Sequence, residues 1–172
     1  TAWRSSTASR REPARARKGC KNADASGATL KRRLAAKAVR CLINKQRRRR
    51  GLSELRPSEN LRKAAKGHSR KMLKSGCFEH QCAGERELVG RVVESGYLPC
   101  GCSWTIGENI AWGARRFSTP SSIVKAWMAS PGHRDVILTR EFEQVDIGVS
   151  RGKPGNARAR AATYTADFGR RD

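Results

Sequence analysis

The stretch SWTIGENIAWG, residues 103–113, contains a single acidic residue among small and apolar neighbours. Glu108 stands between Gly107 and Asn109 in a chain that is otherwise strongly basic. One interpretation is a surface turn, which glycine and asparagine favour. The other is a strand that directs the Glu108 carboxylate into a pocket. The rest of the chain has to distinguish these two interpretations.

The composition divides the chain into a basic N-terminal part and a more ordinary body. The 172 residues are 37% hydrophobic and carry a net charge of +22. Residues 1–50 hold 17 of the 37 lysines and arginines but only two acids, Glu12 and Asp24. Residues 1–18 lack periodicity, so we predict a basic flexible tail there and one folded domain over residues 19–172.

The cysteines indicate an exported protein, and the lack of long apolar runs argues against a membrane-spanning segment. The sequence has no run of eighteen apolar residues, which is the length needed to span a membrane. Residues 1–18 contain no apolar core of a signal peptide. The start at Thr1 suggests a mature form. Six cysteines without a CxxC pair favour three disulfides over a metal site, and hence an oxidising compartment outside the cell. They are Cys20, Cys41, Cys77, Cys82, Cys100 and Cys102.

Spacing alone leaves most of the disulfide pairing open. We prefer Cys20–Cys41 as the first pair, because it would fasten the N-terminal extension onto the first predicted helix. Closing such a loop contributes on the order of 3 kcal/mol. The other four cysteines pair either within the clusters 77/82 and 100/102 or across them, and both alternatives remain.

Hydrophobic periodicity predicts helices around a small sheet. Helices are expected from Leu30 towards Gly51, from the N-cap Ser58 to Gly76, over residues 85–95, from Thr119–Pro120, and through His133 to Leu138. Strands are expected at residues 144–150 and 162–169, with 105–113 as a third. The fold class is therefore α+β, with helices flanking a small, mostly antiparallel sheet.

Four motifs, in order, resemble the bacterial branch of the CAP superfamily. They are FEHQ, GENIAWG, AWMASPGHRDVIL and EFEQVDIGVS. The superfamily groups cysteine-rich secretory proteins, the antigen 5 allergens and the pathogenesis-related proteins of plants. The resemblance covers roughly residues 38–169 and implies a three-layer α-β-α sandwich.

The resemblance also implies a role for Glu108. In the family, the glutamate of GEN points into a central cavity together with two histidines, which correspond here to His80 and His133. Many relatives carry a second glutamate where this chain has Ser130, so the cavity is a reduced version supported by Ser130 and Asn109. Two imidazoles and a carboxylate suit a divalent metal such as zinc. The alternative is a structural cluster that is satisfied by its own hydrogen bonds.

We expect a secreted, monomeric binding protein, rather than an enzyme, that requires no cofactor. It would act at the cell envelope or outside the cell, through the His80, Glu108 and His133 cavity or through a nearby groove for a small lipid- or sterol-like molecule. One alternative is a protease-like hydrolase with His80 as general base. Another is binding of anionic cell-envelope polymers through the basic N-terminal region. Trp3 is the only aromatic residue among the first fifty, so no specific nucleic acid is expected.

Five other polar or aromatic positions receive structural interpretations. His68 falls on the buried stripe of the second helix, so we predict a satisfied core histidine. Trp112 and Trp127 are predicted to be core residues. Glu143 and Asp146 flank the start of a strand and are predicted to be exposed.

Overall fold

The structure is a computed structural model that describes residues 19–98 and 103–172. It contains five α-helices and three strands in these ranges. The helices are α1 (Arg32–Arg48), α2 (Glu59–Ser75), α3 (Leu88–Glu94), α4 (Pro120–Ala129) and α5 (Pro131–Leu138). The strands are β1 (Trp104–Ala114), β2 (Gln144–Arg151) and β3 (Ala161–Arg171), and a 3-10 turn, Arg115–Ser118, follows β1. No helix in the described ranges has both the length and the apolar character needed to cross a bilayer.

The three strands form one antiparallel sheet in the order β1-β3-β2. β3 pairs with both neighbours, so β1 and β2 are the two edges. Directly opposed residues point to the same face of a sheet. One face, with Tyr164 and Phe168 of β3, packs on α1, α4 and α5. The other face packs on α2 and α3, which confirms the predicted α+β class and its helix–sheet–helix layering.

The helix ends follow the signals in the sequence. The Ser58 hydroxyl accepts a hydrogen bond from the Leu61 amide at the start of α2, and Gly76 ends that helix in the left-handed conformation. The Thr119 hydroxyl accepts one from the Ser122 amide ahead of Pro120. These capped ends fix where α2 and α4 begin over the sheet.

Helix α2 lies unusually close to β2. A Cβ added to Gly148 would stand 2.2 Å from backbone atoms of Ala65, so only glycine allows this approach. The contact brings the polar side of α2, with His68 and Ser69, directly over the sheet. Ser69 Oγ and Ser150 Oγ form a buried hydrogen bond across this interface.

Two disulfides are present in the described residues. The preferred pair, Cys20–Cys41, joins the segment before α1 to the middle of that helix. A second bridge joins Cys77 and Cys82. Cys100 and Cys102 lie outside the described residues, as does the predicted tail at residues 1–18.

Three predictions differ from the structure. The third helix begins at Leu88 rather than at residue 85, because Glu85 belongs to a turn and faces inward. Trp112 is 41% exposed because it lies on an edge strand that no helix covers at that end. Asp146 is only 4% exposed, since its position on β2 turns it under α2 rather than outward. Glu143 is exposed and Trp127 is buried, as predicted.

Candidate functional site

The edge strand β1 positions the two polar residues of the GEN motif on opposite faces of the sheet. Successive side chains of a strand alternate between faces. Glu108 points towards α2 and α3, where Arg91 meets it, whereas Asn109 points towards α5. Both side chains are buried. The opening stretch is thus a strand, and the surface-turn interpretation is wrong.

The Glu108 carboxylate is held by two nitrogen donors, an imidazole and a guanidinium. Its Oε1 lies 2.8 Å from His80 Nδ1, and its Oε2 accepts a hydrogen bond from Arg91 Nη2 at 2.5 Å. Burial alone would raise the pKa of Glu108, but the His80 hydrogen bond and the Arg91 charge hold that pKa below its usual value. The carboxylate is therefore ionised and firmly oriented.

His80 is the exposed member of this pair, with 59% of its side chain accessible. The hydrogen bond to Glu108 raises the pKa of His80, and burial and Arg91 oppose that rise. With Nδ1–H donating to the carboxylate, Nε2 is the ring nitrogen left for a ligand. Arg91 also donates to the His80 carbonyl oxygen at 2.8 Å, so both the backbone and the ring of His80 are fixed.

A second, deeper layer of polar residues supports Arg91. His68 is fully buried, as predicted, and its Nδ1 lies 2.9 Å from Glu85 Oε2. Glu85 Oε2 in turn lies 3.7 Å from Arg91 Nη1. His68 is satisfied on only one side, because Nε2 has no hydrogen-bond partner among the described residues and lies 3.8 Å from Glu108 Oε1.

Asp167 lies beside Glu108, opposite it in the β1–β3 register. Its side chain is fully buried, neither carboxyl oxygen accepts a hydrogen bond from the described part of the chain, and the Asp167 carboxyl group shares a hydrogen bond with the Glu108 carboxylate. Burial and the nearby negative charge of Glu108 raise the pKa of Asp167 well above its usual value. Asp167 therefore keeps its proton to a higher pH than an ordinary aspartate, whereas Glu108 loses its proton at a lower pH than an ordinary glutamate.

His133 is positioned from the opposite layer. Asn109 Nδ2 donates to the His133 carbonyl oxygen at 2.9 Å. His133 Nδ1 and Ser130 Oγ form a hydrogen bond of 2.9 Å within the first turn of α5. Burial, and then the charge of His80, lower the pKa of His133, so the imidazole is neutral near pH 7. Because the Ser130 contact is local to the helix start, it fixes the ring and does not indicate an activated nucleophile.

His80 and His133 line one groove that crosses the outer edge of β1. The groove has a volume of about 560 Å³, within the range of roughly 300–1,000 Å³ that is usual for small-ligand sites. Residues Ile110, Ala111 and Trp112 of β1 also line it, and Phe78 stands beside His80. The Phe78 and Trp112 side chains are 43% and 41% exposed, which is high for large apolar groups. The groove therefore combines two imidazoles with two accessible aromatic surfaces.

The predicted metal ligands do not fit a metal ion as they stand. In residues 19–98 and 103–172, no three histidine, cysteine, aspartate or glutamate side chains are placed to hold one. Both Glu108 oxygens already face a donor, and one of these donors is the permanently charged guanidinium of Arg91. A second cation would be repelled there, so we derive no step through a metal.

The three residues named from the sequence do not all line one groove: His80 contacts Glu108, and His80 and His133 line the same groove, but Glu108 lies behind His80 and is not part of the lining. Arg91 and Glu85 carry no motif; Arg91 is buried and lies between the carboxylates of Glu85 and Glu108. The sequence does contain a signal for Asp167, since an acid within a buried strand must be neutralised or paired. Phe78 was visible in the FEH motif but was not assigned a role.

Comparison with known proteins agrees with this fold. The model of the cysteine-rich secretory protein family, CAP, matches residues 41–168. The chain therefore belongs to that family.

Three similar proteins are bacterial, and this chain spans less than half the length of two of them. YkwD of Bacillus subtilis (strain 168) is 36% identical over 107 residues, which are 62% of this chain and 39% of YkwD. An extracellular protein containing a SCP domain from Bacillus anthracis has a TM-score of 0.63 at 24% identity, over 81% of this chain and 43% of that one. An outer surface protein from Borrelia burgdorferi has a TM-score of 0.62 at 19% identity, over 79% of this chain and 92% of that one. The two structures share the fold.

Proposed function

We propose that the protein is a secreted binding protein that takes a small amphipathic, lipid- or sterol-like molecule into the groove between His80 and His133. The observation that carries the proposal is the pair of exposed aromatic side chains, Phe78 and Trp112, beside two fixed imidazoles. Exposed aromatic surface of this kind is typical of ligand sites rather than of a finished core.

The apolar part of the ligand would cover the aromatic walls and the floor of the groove. Ala111 and Ala126 are small, so the floor leaves room above β1 and α4. Covering Trp112 and Phe78 removes apolar surface from water, which supplies the driving force for binding.

The polar end of the ligand would meet the imidazoles. His80 has a raised pKa and carries positive charge over a wider pH range than an ordinary histidine. His133 is neutral and offers one free ring nitrogen, since Nδ1 is engaged by Ser130. A single anionic or hydroxyl head group suits this pair.

Export is supported by the two disulfides and by two structural relatives, one an extracellular protein and the other an outer surface protein. We therefore propose that binding takes place outside the cell or at its envelope.

The test compares two tryptophans on the same strand. Trp104 and Trp112 both lie on β1 and are similarly exposed, at 46% and 41%, but only Trp112 lines the groove. We expect calorimetric titration with a long-chain fatty acid and with a sterol to give a Kd about tenfold higher for Trp112→Ala, a loss of about 1.4 kcal/mol. Trp104→Ala should bind like the wild type. Equal affinities for all three proteins, or no binding by the wild type, would refute the proposal.

A further inference from the structure

Cationic side chains from three elements surround two adjoining grooves at the β2 edge of the molecule. The grooves share Arg32 and Arg33 as a common wall. Among the described residues that line them there is no carboxylate. The lining includes Lys31, Arg32 and Arg33 at the start of α1, Arg62 and Lys66 on α2, and Arg151 at the end of β2. We call this surface the α1–β2 face.

Several of these cations have no acidic partner among the residues that the structure describes. Arg32, Arg33 and Lys66 are exposed. They form no ion pair within the described residues, whereas Arg62 pairs with Glu59 and Arg151 donates to backbone carbonyls. Unpaired charges of one sign repel each other, and a bound polyanion would relieve that repulsion.

The same cations stand where they do not help the fold. Helix α1 has no acidic residue in its first turn, and Lys31, its N-cap, makes no side-chain capping bond. Positive charge at a helix N-terminus opposes the helix dipole. A cluster that weakens its own helix is expected at functional surfaces.

We propose that the α1–β2 face binds a linear, phosphate-bearing polyanion that carries no bases. Guanidinium groups match phosphate oxygens through paired hydrogen bonds, and the shared wall of Arg32 and Arg33 joins the two grooves into one track. Within residues 19–98 and 103–172, no aromatic side chain on which a base could stack lines the grooves, which disfavours recognition of single-stranded nucleic acid. Leu34 is the single large apolar side chain exposed there, too little for insertion into a lipid surface.

This site is independent of the groove between His80 and His133. That groove crosses β1, and β1 and β2 are opposite edges of the sheet. Occupation of one site therefore leaves the other accessible. The site lies in the folded domain. It includes Lys31, Arg32 and Arg33 of the basic N-terminal region and adds cations from α2 and β2.

The test uses the full chain, inorganic polyphosphate of defined length, and two triple variants with the same change in net charge. One neutralises the grooves, and the other neutralises exposed cations at the opposite end of α1. The variants are Arg32→Gln/Arg33→Gln/Lys66→Gln and Lys45→Gln/Arg49→Gln/Arg50→Gln. We expect the groove variant to bind at least about tenfold more weakly, and the control variant no more than about threefold more weakly. The slope of log K against log salt should fall in magnitude by about 2 in the groove variant, at roughly 0.7 per lost phosphate contact.

Three results would overturn the proposal. Equal losses in the two variants would mean that net charge alone drives binding. Tighter binding to vesicles of anionic phospholipid at equal phosphate concentration would assign the face to membranes, and tighter binding to a single-stranded oligonucleotide would assign it to bases. An NMR titration that follows the backbone amide signals of the wild type tests the location of the site without any variant. Polyphosphate should shift the signals of residues 31–37 and 147–151, and shifts confined to residues 45–50 would contradict the assignment.

Discussion

Replacing Arg47 should destabilise the protein far more than replacing its neighbour on the same helix. Arg47 is fully buried, and its guanidinium donates to four backbone carbonyls instead of to a carboxylate. The distances are 2.8 Å to Ser53, 2.9 Å to Ile137, 2.7 Å to Thr139 and 3.4 Å to Phe142. These bonds tie the end of α1 to the end of α5 and to the segment that leads into β2.

The expected size follows from the carbonyls that would be left behind. The bonds to Ile137 and Phe142 are buried, so in Arg47→Met two acceptors lose their donor away from water. Each such loss costs about 1–3 kcal/mol. Burial lowers the pKa of Arg47, which shows that burying its charge is itself unfavourable, and the substitution removes that penalty. We therefore expect a net loss of about 3 kcal/mol in the free energy of unfolding.

Urea unfolding of the oxidised protein measures this loss. With a slope of about 2 kcal/mol per molar, the midpoint should fall by about 1.5 M. The control is Arg48→Met, because Arg48 only pairs with Glu54 at the surface, which is worth at most about 1 kcal/mol. If the two variants differed by less than about 0.5 kcal/mol, the buried guanidinium would not be holding α5 in place.

Four further results are expected. Asp167→Asn should gain stability relative to the wild type as pH rises above about 4. The reason is that the raised pKa of Asp167 makes the folded wild type keep a proton that the unfolded chain releases. A difference in melting temperature between the two proteins that stays the same at every pH would contradict this. Binding of a fatty acid in the groove should weaken as pH rises through the raised pKa of His80, while binding of a neutral sterol should not change. Zinc should leave the melting temperature unchanged; a rise that disappears in His80→Ala/His133→Ala would refute that expectation. Replacing Cys20 and Cys41 by serine should cost about 3 kcal/mol in urea unfolding, more than loss of the shorter second bridge.

The sequence predicts the parts of this fold that depend on local signals. Ser58 and Thr119 are standard N-caps, and each begins a helix where expected. Val145, Ile147 and Val149 alternate in sequence and enter one core together. In these cases the chemistry of a residue and its immediate neighbours is enough to fix its environment.

The sequence fails where burial depends on residues that are distant in the chain. Arg91 looks like a surface residue of a short helix, and its burial follows from carboxylates on β1 and in the turn before α3. Trp112 sits in an apolar stretch, but strand alternation does not say whether a face is covered. Its exposure follows from the position of β1 at the sheet edge, which depends on the pairing of β3 with both other strands.

Because the groove between His80 and His133 crosses β1, its two walls are positioned by different layers of the fold. His80 is held by Arg91 and Glu108 on the side of the sheet that faces α2 and α3. His133 is held by Asn109 and Ser130 on the side that faces α4 and α5. Repacking one layer would displace one imidazole and leave its counterpart in place. Within the family, selection could thus change one wall of the groove at a time, while β1, which lies between the two walls, stays the same.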